Sequence, residues 1–332
     1  MFLVTGCAGF IGSHLIKKLL LEGYDVFGID KADPLKTDSI NCYRLKDLVS
    51  FAKQKKSKGN FFFKRIDILD NDKLNSFFKE NQFDKVIHLA ALTGVRNSTE
   101  NGKLYLENNI LGFYNIIDSC KLFNIKHFIY ASSSSVYNNL NHQLSKEQNQ
   151  TDNLLSIYSC TKKTNELIAH IYNKLYNLKS TGLRFFSVYG PFGRRDMSYY
   201  KFTQAIYNNN ILFLTNKGIN IRDFTYIDDV AHAIKQIIVK KIKKDYEVYN
   251  LGRGKPISII KIVRKLESII GKKAQISYVD SFAEDSLITA ADTKLIREDY
   301  GVKFNTLIDD GLNEFVKWYK YHKDARFNKS IF

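Results

Sequence analysis

No stretch of this 332-residue chain approaches the apolar length of a membrane span, and no basic-then-apolar leader precedes the first apolar run. A cytoplasmic protein without membrane partners is the expectation. Cysteine is sparse: Cys7, Cys42, Cys120 and Cys160 stand without metal-ligand or redox-pair spacing, which excludes a disulfide scaffold and gives no metal site. Acidic residues are also in short supply, 34 against 50 basic, for a formal charge of +16. The densest basic tracts, Lys53 to Lys58 and Lys240 to Lys244, carry no nucleic-acid module signature and no stacking aromatics, so no nucleic-acid partner is expected. They read as solvated faces, with an electrostatic funnel for an anionic substrate as the alternative. What remains is a chain 44% hydrophobic, long enough for two lobes with their own cores.

The chain opens on Phe2-Leu3-Val4-Thr5, a short buried strand, and runs into Gly6-Cys7-Ala8-Gly9-Phe10-Ile11-Gly12 ahead of an apolar helical run to Leu21. Glycines at this spacing between strand and helix let the backbone turn tightly and approach a pyrophosphate lying on the helix N-terminus. A second strand, Asp25 to Ile29, ends at Asp30, where such a fold places the acid that accepts from the adenosine ribose; a carboxylate there repels a 2'-phosphate and favours NAD. Residues 31–60 read as a surface insertion with one helix. Phe61 to Ile68 gives a third strand with Asp67 at its end, Lys85 to Ala91 a fourth, and His127 to Tyr130 another beyond a helix from Tyr105 to Leu122. His88 reads as a packed strand histidine. Strand and helix alternate throughout, which predicts an α/β fold with a doubly wound parallel sheet of about seven strands and ligands at the strands' carboxyl ends.

At one such end stands Ala131-Ser132-Ser133-Ser134-Ser135-Val136-Tyr137, a source of hydroxyls for a substrate oxygen. Tyr158-Ser159-Cys160-Thr161-Lys162 then opens an apolar helical run through Leu167, Ile168, Ile171 and Leu175, with Tyr158 and Lys162 one turn apart on one face. An ammonium beside a phenol favours the phenolate, a general base for work near neutral pH.

Glycine loop, Asp30, strand-end serines and Tyr-x-x-x-Lys together resemble the extended short-chain dehydrogenase/reductase superfamily in its sugar-nucleotide epimerase/dehydratase branch. The segments Gly182 to Met197, Arg222 to Asp229 and Tyr249 to Gly252 resemble the UDP-glucuronate 4-epimerases, and the similarity runs nearly end to end outside residues 31–60. The resemblance implies that Gly6, Gly9 and Gly12, with Phe10 and Ile11, hold the pyrophosphate of NAD, Asp30 the ribose, and Asp67 with Ile68 the adenine; Ala90 and Asn109 also contact the cofactor. Tyr158 is the base, Lys162 holds the nicotinamide ribose and lowers the tyrosine pKa, and Ser133 bonds the sugar O4 with Ser134 and Ser135 as rivals. Arg222 faces the diphosphate, Ser187 and Arg194 the uronate carboxylate, and Asp285 the uridine. Asn138 and Arg195 stand where Gly and Pro are usual, and Ala283-Glu284 precede Asp285 in place of Pro-Gly.

The implied reaction is C4 epimerisation of a UDP-sugar through a transient 4-keto intermediate, UDP-glucuronate to UDP-galacturonate, in polysaccharide precursor supply. The alternatives are a 4-epimerase of a neutral or N-acetylated UDP-hexose and a UDP-glucuronate decarboxylase. A 4,6-dehydratase lacks its acid-base pair here, since Ser134-Ser135 fill the positions. A non-catalytic NAD-binding scaffold is disfavoured by Tyr158 and Lys162. Residues 1–183, with 222–250 returning, form the expected NAD-binding Rossmann domain; 184–221 and 251–332 form the nucleotide-sugar lobe. Apolar stripes on helices 104–122 and 157–176 exceed what one sheet face buries, and a homodimer through a four-helix bundle is expected.

Overall fold

A computed structural model describes residues 1–33, 35–36, 39–137, 144–280 and 287–324; Asn138 and Asp285 lie outside them. Strand β1 (Phe2–Thr5) is buried almost throughout, as a central parallel strand must be with helices on both faces. Helix α1 (Phe10–Leu21) buries Leu15, Ile16, Leu19 and Leu20 against the sheet, and the chain turns back at Gly23, whose φ of +89° suits glycine. There follow β2 (Val26–Asp30), α2 (Ile40–Ala52), β3 (Phe61–Arg65), α3 (Asn71–Glu80) and β4 (Lys85–His88).

Short helices α4 (Val95–Glu100) and α5 (Gly102–Leu106) lead through a π-turn at Glu107–Leu111 into α6 (Gly112–Leu122). Strand β5 (His127–Ser133) reaches three residues further than the sequence predicts and carries Ser132 and Ser133 as its last residues. Helix α7 (Ile157–Tyr176) and β6 (Ser180–Phe185) follow. The parallel sheet has seven strands in the order β3-β2-β1-β4-β5-β6-β11, the last being β11 (Tyr246–Leu251), which returns from the far side of the second lobe. The order reverses between β1 and β4, and the crevice for a ligand opens there.

The remaining elements are β7 (Ser187–Tyr189), α8 (Ser198–Asn208), β8 (Ile211–Thr215), β9 (Ile221–Arg222), β10 (Phe224–Tyr226), α9 (Ile227–Val239), β12 (Ile257–Ser258), α10 (Ile259–Ile270), β13 (Gln275–Val279), α11 (Lys294–Tyr300) and α12 (Ile308–Asp324). Helix α9 packs on α1 beside the sheet, whereas α8, α10 and α12 close a separate aromatic core around Tyr199, Phe315 and Leu266.

The one helix of residues 31–60 is not a surface element. Helix α2 is capped by Ser39, packs on α1, and buries Cys42, Arg44, Leu45 and Leu48. The lysine-rich run that follows it, Lys53 to Lys58, draws a sequence reading toward a surface segment.

His88 is packed, as the sequence predicts: Nδ1 lies 2.8 Å from Thr5 Oγ1 and the ring stacks on Phe128. His127, wholly buried, bonds Thr181 Oγ1 at 2.8 Å. Burial holds both imidazoles at about 3, below their ordinary 6.5. The folded chain keeps them neutral while the unfolded chain protonates them, so stability is complete above pH 6.5 and falls as pH drops from there toward 3. The two rings give a slope of about 2.7 kcal/mol per pH unit in that window. Urea unfolding midpoints should therefore drop between pH 7 and pH 5.5; an unchanged midpoint contradicts the burial account.

Candidate active site

The turn from β1 to α1 forms the floor of a cleft of about 480 Å³, and the glycines are there for space. Gly6 has φ +68°, and a Cβ on it would meet Ala90 N at 2.7 Å; one on Gly12 would sit 2.3 Å from Gly6 O. Helix α1 begins at Gly9 with no side-chain cap and no acid in its first turn, so its leading N–H groups face the cleft beside Phe10 and Ile11. Uncapped donors at the positive end of a helix suit a phosphate. Asp30 receives Ala8 N–H at 3.0 Å and Ala32 N–H at 2.9 Å, which fixes its carboxylate beside the loop and leaves about two of its acceptor sites for hydroxyls. Burial raises its pKa above the ordinary value, against those two bonds. Asp67 closes the turn after β3 by accepting from Leu69 N–H at 3.1 Å, and Ile68 is buried with its carbonyl bonded to Asn115. The glycine loop, Asp30, Asp67, Ile68 and Ala90 thus lie together at the carboxyl ends of neighbouring strands, an arrangement that fits a dinucleotide.

Asn109 stands behind the cleft wall. Its amide spends itself on Leu92, accepting at 2.8 Å and donating at 3.0 Å, and on Thr161 Oγ1 at 3.2 Å. The π-turn that aims it, a feature frequent at functional sites, has no sequence signature.

Helix α7 starts at a capping box between Ser156 and Ser159, which sets Tyr158 in its first turn, and Tyr158 N–H is held by Ser98 Oγ at 3.1 Å. Burial pushes the phenol above its ordinary pKa, while the Arg194 guanidinium and the Ser133 hydroxyl draw it back. Lys162, expected to lower the Tyr158 pKa, stands one turn further along the same helix. Its ammonium donates to Ala131 O at 3.0 Å, lies 5.9 Å from the Tyr158 ring centre, and is itself pushed down to about 8 by burial. The Arg194 guanidinium adds a second positive charge that draws the phenol pKa down.

Ser133, Ser134 and Ser135 all line the cleft. Ser133 Oγ accepts from Ser135 N–H at 3.1 Å, and Ser135 Oγ is buried with no hydrogen-bond partner among the described residues. Ser187 and Arg222 line it too; Ser187 N–H is fixed to Asp223 O at 3.0 Å, and Arg222 Nη1 donates to Ile221 O at 2.8 Å. Arg194 forks onto Asp196, with Nε 3.0 Å from Oδ1 and Nη2 on Oδ2. A second cleft of about 550 Å³ shares Arg194, Ser187 and Arg222 with the first and continues past Phe213 and Asn220 into the smaller lobe.

Sequence reasoning missed Arg44, the one arginine among the seven lysines of residues 31–60, which enters the cleft wall with Asn41. That isolated arginine was the available signal. It also missed the buried Glu166–Arg184 pair behind the serine turn, whose partners sit 18 residues apart on a helix and a strand.

The model of the NAD dependent epimerase/dehydratase family matches residues 2–252. The chain is 40% identical to Protein CapI of Staphylococcus aureus over 97% of its own length and 99% of that protein's, and 39% identical to a UDP-glucuronate 4-epimerase of Thermodesulfobacterium geofontis over 96% of both. Among solved structures it is similar to UDP-glucuronic acid 4-epimerase from Bacillus cereus in complex with UDP-glucuronic acid and NAD, with a TM-score of 0.87, 32% identity and coverage of 97% of this chain and 99% of that one. Sheet order, glycine loop, Tyr158-Lys162 pair and matched span agree, and the chain belongs to the NAD dependent epimerase/dehydratase family.

Proposed function

We propose that this protein is an NAD-dependent UDP-glucuronate 4-epimerase, converting UDP-glucuronate to UDP-galacturonate through a 4-keto sugar. The observation that carries the reading is the convergence of Tyr158, Ser133 and Arg194 on one cleft above an uncapped phosphate-type loop. The names of the Thermodesulfobacterium geofontis and Bacillus cereus relatives support it.

Residues 1–183 with 222–250 hold NAD in this account, and 184–221 with 251–332 hold the nucleotide sugar. Gly6, Gly9, Gly12 and the α1 N–H groups take the pyrophosphate, Asp30 the ribose hydroxyls, and Lys162 the nicotinamide ribose. When bound, NAD supplies an acceptor that takes a hydride from the sugar and gives one back at the same carbon. Tyr158 oxygen receives the C4 hydroxyl proton, with Ser133 sharing the hydrogen bond, and returns it after the keto sugar has turned over. Arg222 meets the diphosphate, and Phe213 offers the base an apolar wall in the second cleft. Arg194 and Ser187 grip the carboxylate, which Arg194 can do only by sharing or exchanging Asp196. A 4-keto acid readily loses CO2; a fixed carboxylate keeps that bond out of alignment for cleavage.

Purified protein without added NAD, incubated in parallel with UDP-glucuronate, UDP-glucose and UDP-N-acetylglucosamine, tests this. Same-mass UDP-galacturonate from the acid alone supports it; turnover of only a neutral sugar, or a product lighter by CO2, overturns it in favour of a neutral-sugar epimerase or a decarboxylase.

The active unit in this reading is a cytoplasmic homodimer that supplies polysaccharide precursors. Four free cysteines suit a reducing compartment. The apolar stripe of α7 points outward: Leu167, Ile171 and Leu175 are exposed while Glu166, Lys162 and Asn165 face in, and Leu104, Leu111 and Tyr114 are exposed along the neighbouring run from α5 through the π-turn into α6. Light scattering after chromatography should give twice the chain mass, and Ile171→Lys with Leu175→Lys should give the monomer; a monomeric parent contradicts the dimer.

A further inference from the structure

Arg194 follows a strained residue. Phe192 has φ +58°, a left-handed conformation that a bulky side chain adopts only where its surroundings dictate it. Two sets of contacts do so here. The ring is enclosed by Tyr43 at 5.8 Å, Trp318 at 5.2 Å, His322 at 5.4 Å and His14 at 6.1 Å, with Lys17 Nζ 5.1 Å above it. The backbone is held by Arg44: Nε donates to Phe192 O at 2.8 Å and Nη2 to Gly193 O at 3.2 Å, while Nη1 is braced by Asn41 Oδ1 at 2.7 Å.

Arg44 is 3% exposed and ion-paired with no carboxylate among the described residues. A buried guanidinium without a counter-ion is costly, and these two carbonyls are what it holds. A rigid fork on consecutive carbonyls fixes the orientation of both peptides, and the next residue along the chain is Arg194. Helix α2, on the cofactor side, therefore determines where the guanidinium of the substrate lobe stands.

We propose that Arg44 is a positioning residue for Arg194, and that through the Phe192-Gly193 peptides it sets the preference for a carboxylated sugar over a neutral one. This rests on the reading of Arg194 as the carboxylate clamp. Arg44 forms part of the cleft wall, and its effect on the sugar runs through these two peptides. Lysine in its place keeps the charge but loses the fork, so charge alone should not restore the preference.

The test is calorimetric binding to protein purified with its NAD, in a Tyr158→Phe background so that the sugar stays unconverted. UDP-glucuronate, UDP-glucose and UDP are the three ligands. Arg194→Met should remove most of the acid-over-neutral preference; if it does not, the carboxylate reading fails and the inference falls with it. Arg44→Met should lower that preference by about tenfold, with UDP affinity and NAD content after denaturation unchanged. Arg44→Lys, which keeps a buried cation and serves if Arg44→Met does not fold, should lose a similar share. In the Arg194→Met background, Arg44→Met should change the preference no further. Equal loss for all three ligands, a loss of NAD with the preference intact, or an undiminished effect of Arg44→Met without Arg194 would each overturn the proposal.

Discussion

Replacing Tyr158 with Phe is expected to lower the epimerisation rate by roughly 10² to 10⁴, the usual contribution of a positioned general acid-base group, with NAD still co-purifying and thermal stability nearly unchanged. The phenol oxygen is a minor part of the packing: Tyr158 is anchored through its backbone N–H on Ser98 and through its ring edge-on to Tyr105 at 6.3 Å. The hydroxyl's business is with Ser133 and the charge of Arg194. The sign of a pH effect follows. The base works deprotonated, so activity falls on the acid side of the Tyr158 pKa; Arg194 holds that pKa down, and Arg194→Met should therefore move the acid limb of the kcat profile to higher pH. An acid limb that stays in place would separate Arg194 from the phenol and leave it only the sugar. A residual rate in Tyr158→Phe within tenfold of the parent would remove the tyrosine from the proton transfer.

Breaking the buried pair behind the serine turn should cost stability and activity together. Glu166 and Arg184, both almost without exposure, are joined by Nε to Oε1 at 2.8 Å and Nη2 to Oε2 at 2.7 Å. Ser132 Oγ donates to the same carboxylate at 2.6 Å, and Arg184 Nη1 donates to Tyr137 OH at 2.6 Å, which donates in turn to Asn250 Oδ1 at 2.8 Å. Removing one partner strands the other charge in the interior, and Glu166→Ala or Arg184→Met should each cost about 3–5 kcal/mol. For a chain of this length that corresponds to a fall in Tm of about 5 °C. Glu166→Gln with Arg184→Met should recover part of the loss, because no lone buried charge remains. Catalysis should suffer more than stability explains, since Ser132 precedes Ser133 and Glu166 lies one turn after Lys162. A single variant with unchanged melting and unchanged kcat would show that the network is incidental.

The parts of this site that could be read in the sequence are the local ones. Strand, glycine turn and helix from Phe2 to Leu21 have their spacing written in consecutive residues, and Tyr158 and Lys162 are one helical turn apart. What escaped depends on partners distant in the chain. Arg44 meets carbonyls 148 and 149 residues away, and nothing near it marks that contact. Helix α7 is legible in part: its apolar stripe exceeds what the sheet buries, but that Glu166 and Lys162 turn inward follows from Ser132, Ala131 and Arg184, which lie elsewhere in the chain. The Tyr158–Lys162 spacing is legible, but the carbonyl of Ala131 that receives the ammonium and the charge of Arg194 near the phenol come from residues distant in the chain.

UDP-glucuronate carrying deuterium at C4, incubated with purified protein and no added NAD, gives the most direct test of the central claim. The account predicts UDP-galacturonate of unchanged mass with the deuterium still at C4, since the hydride leaves and returns within one site. Product without the label, or a labelled acid recovered unepimerised after prolonged incubation, would contradict it.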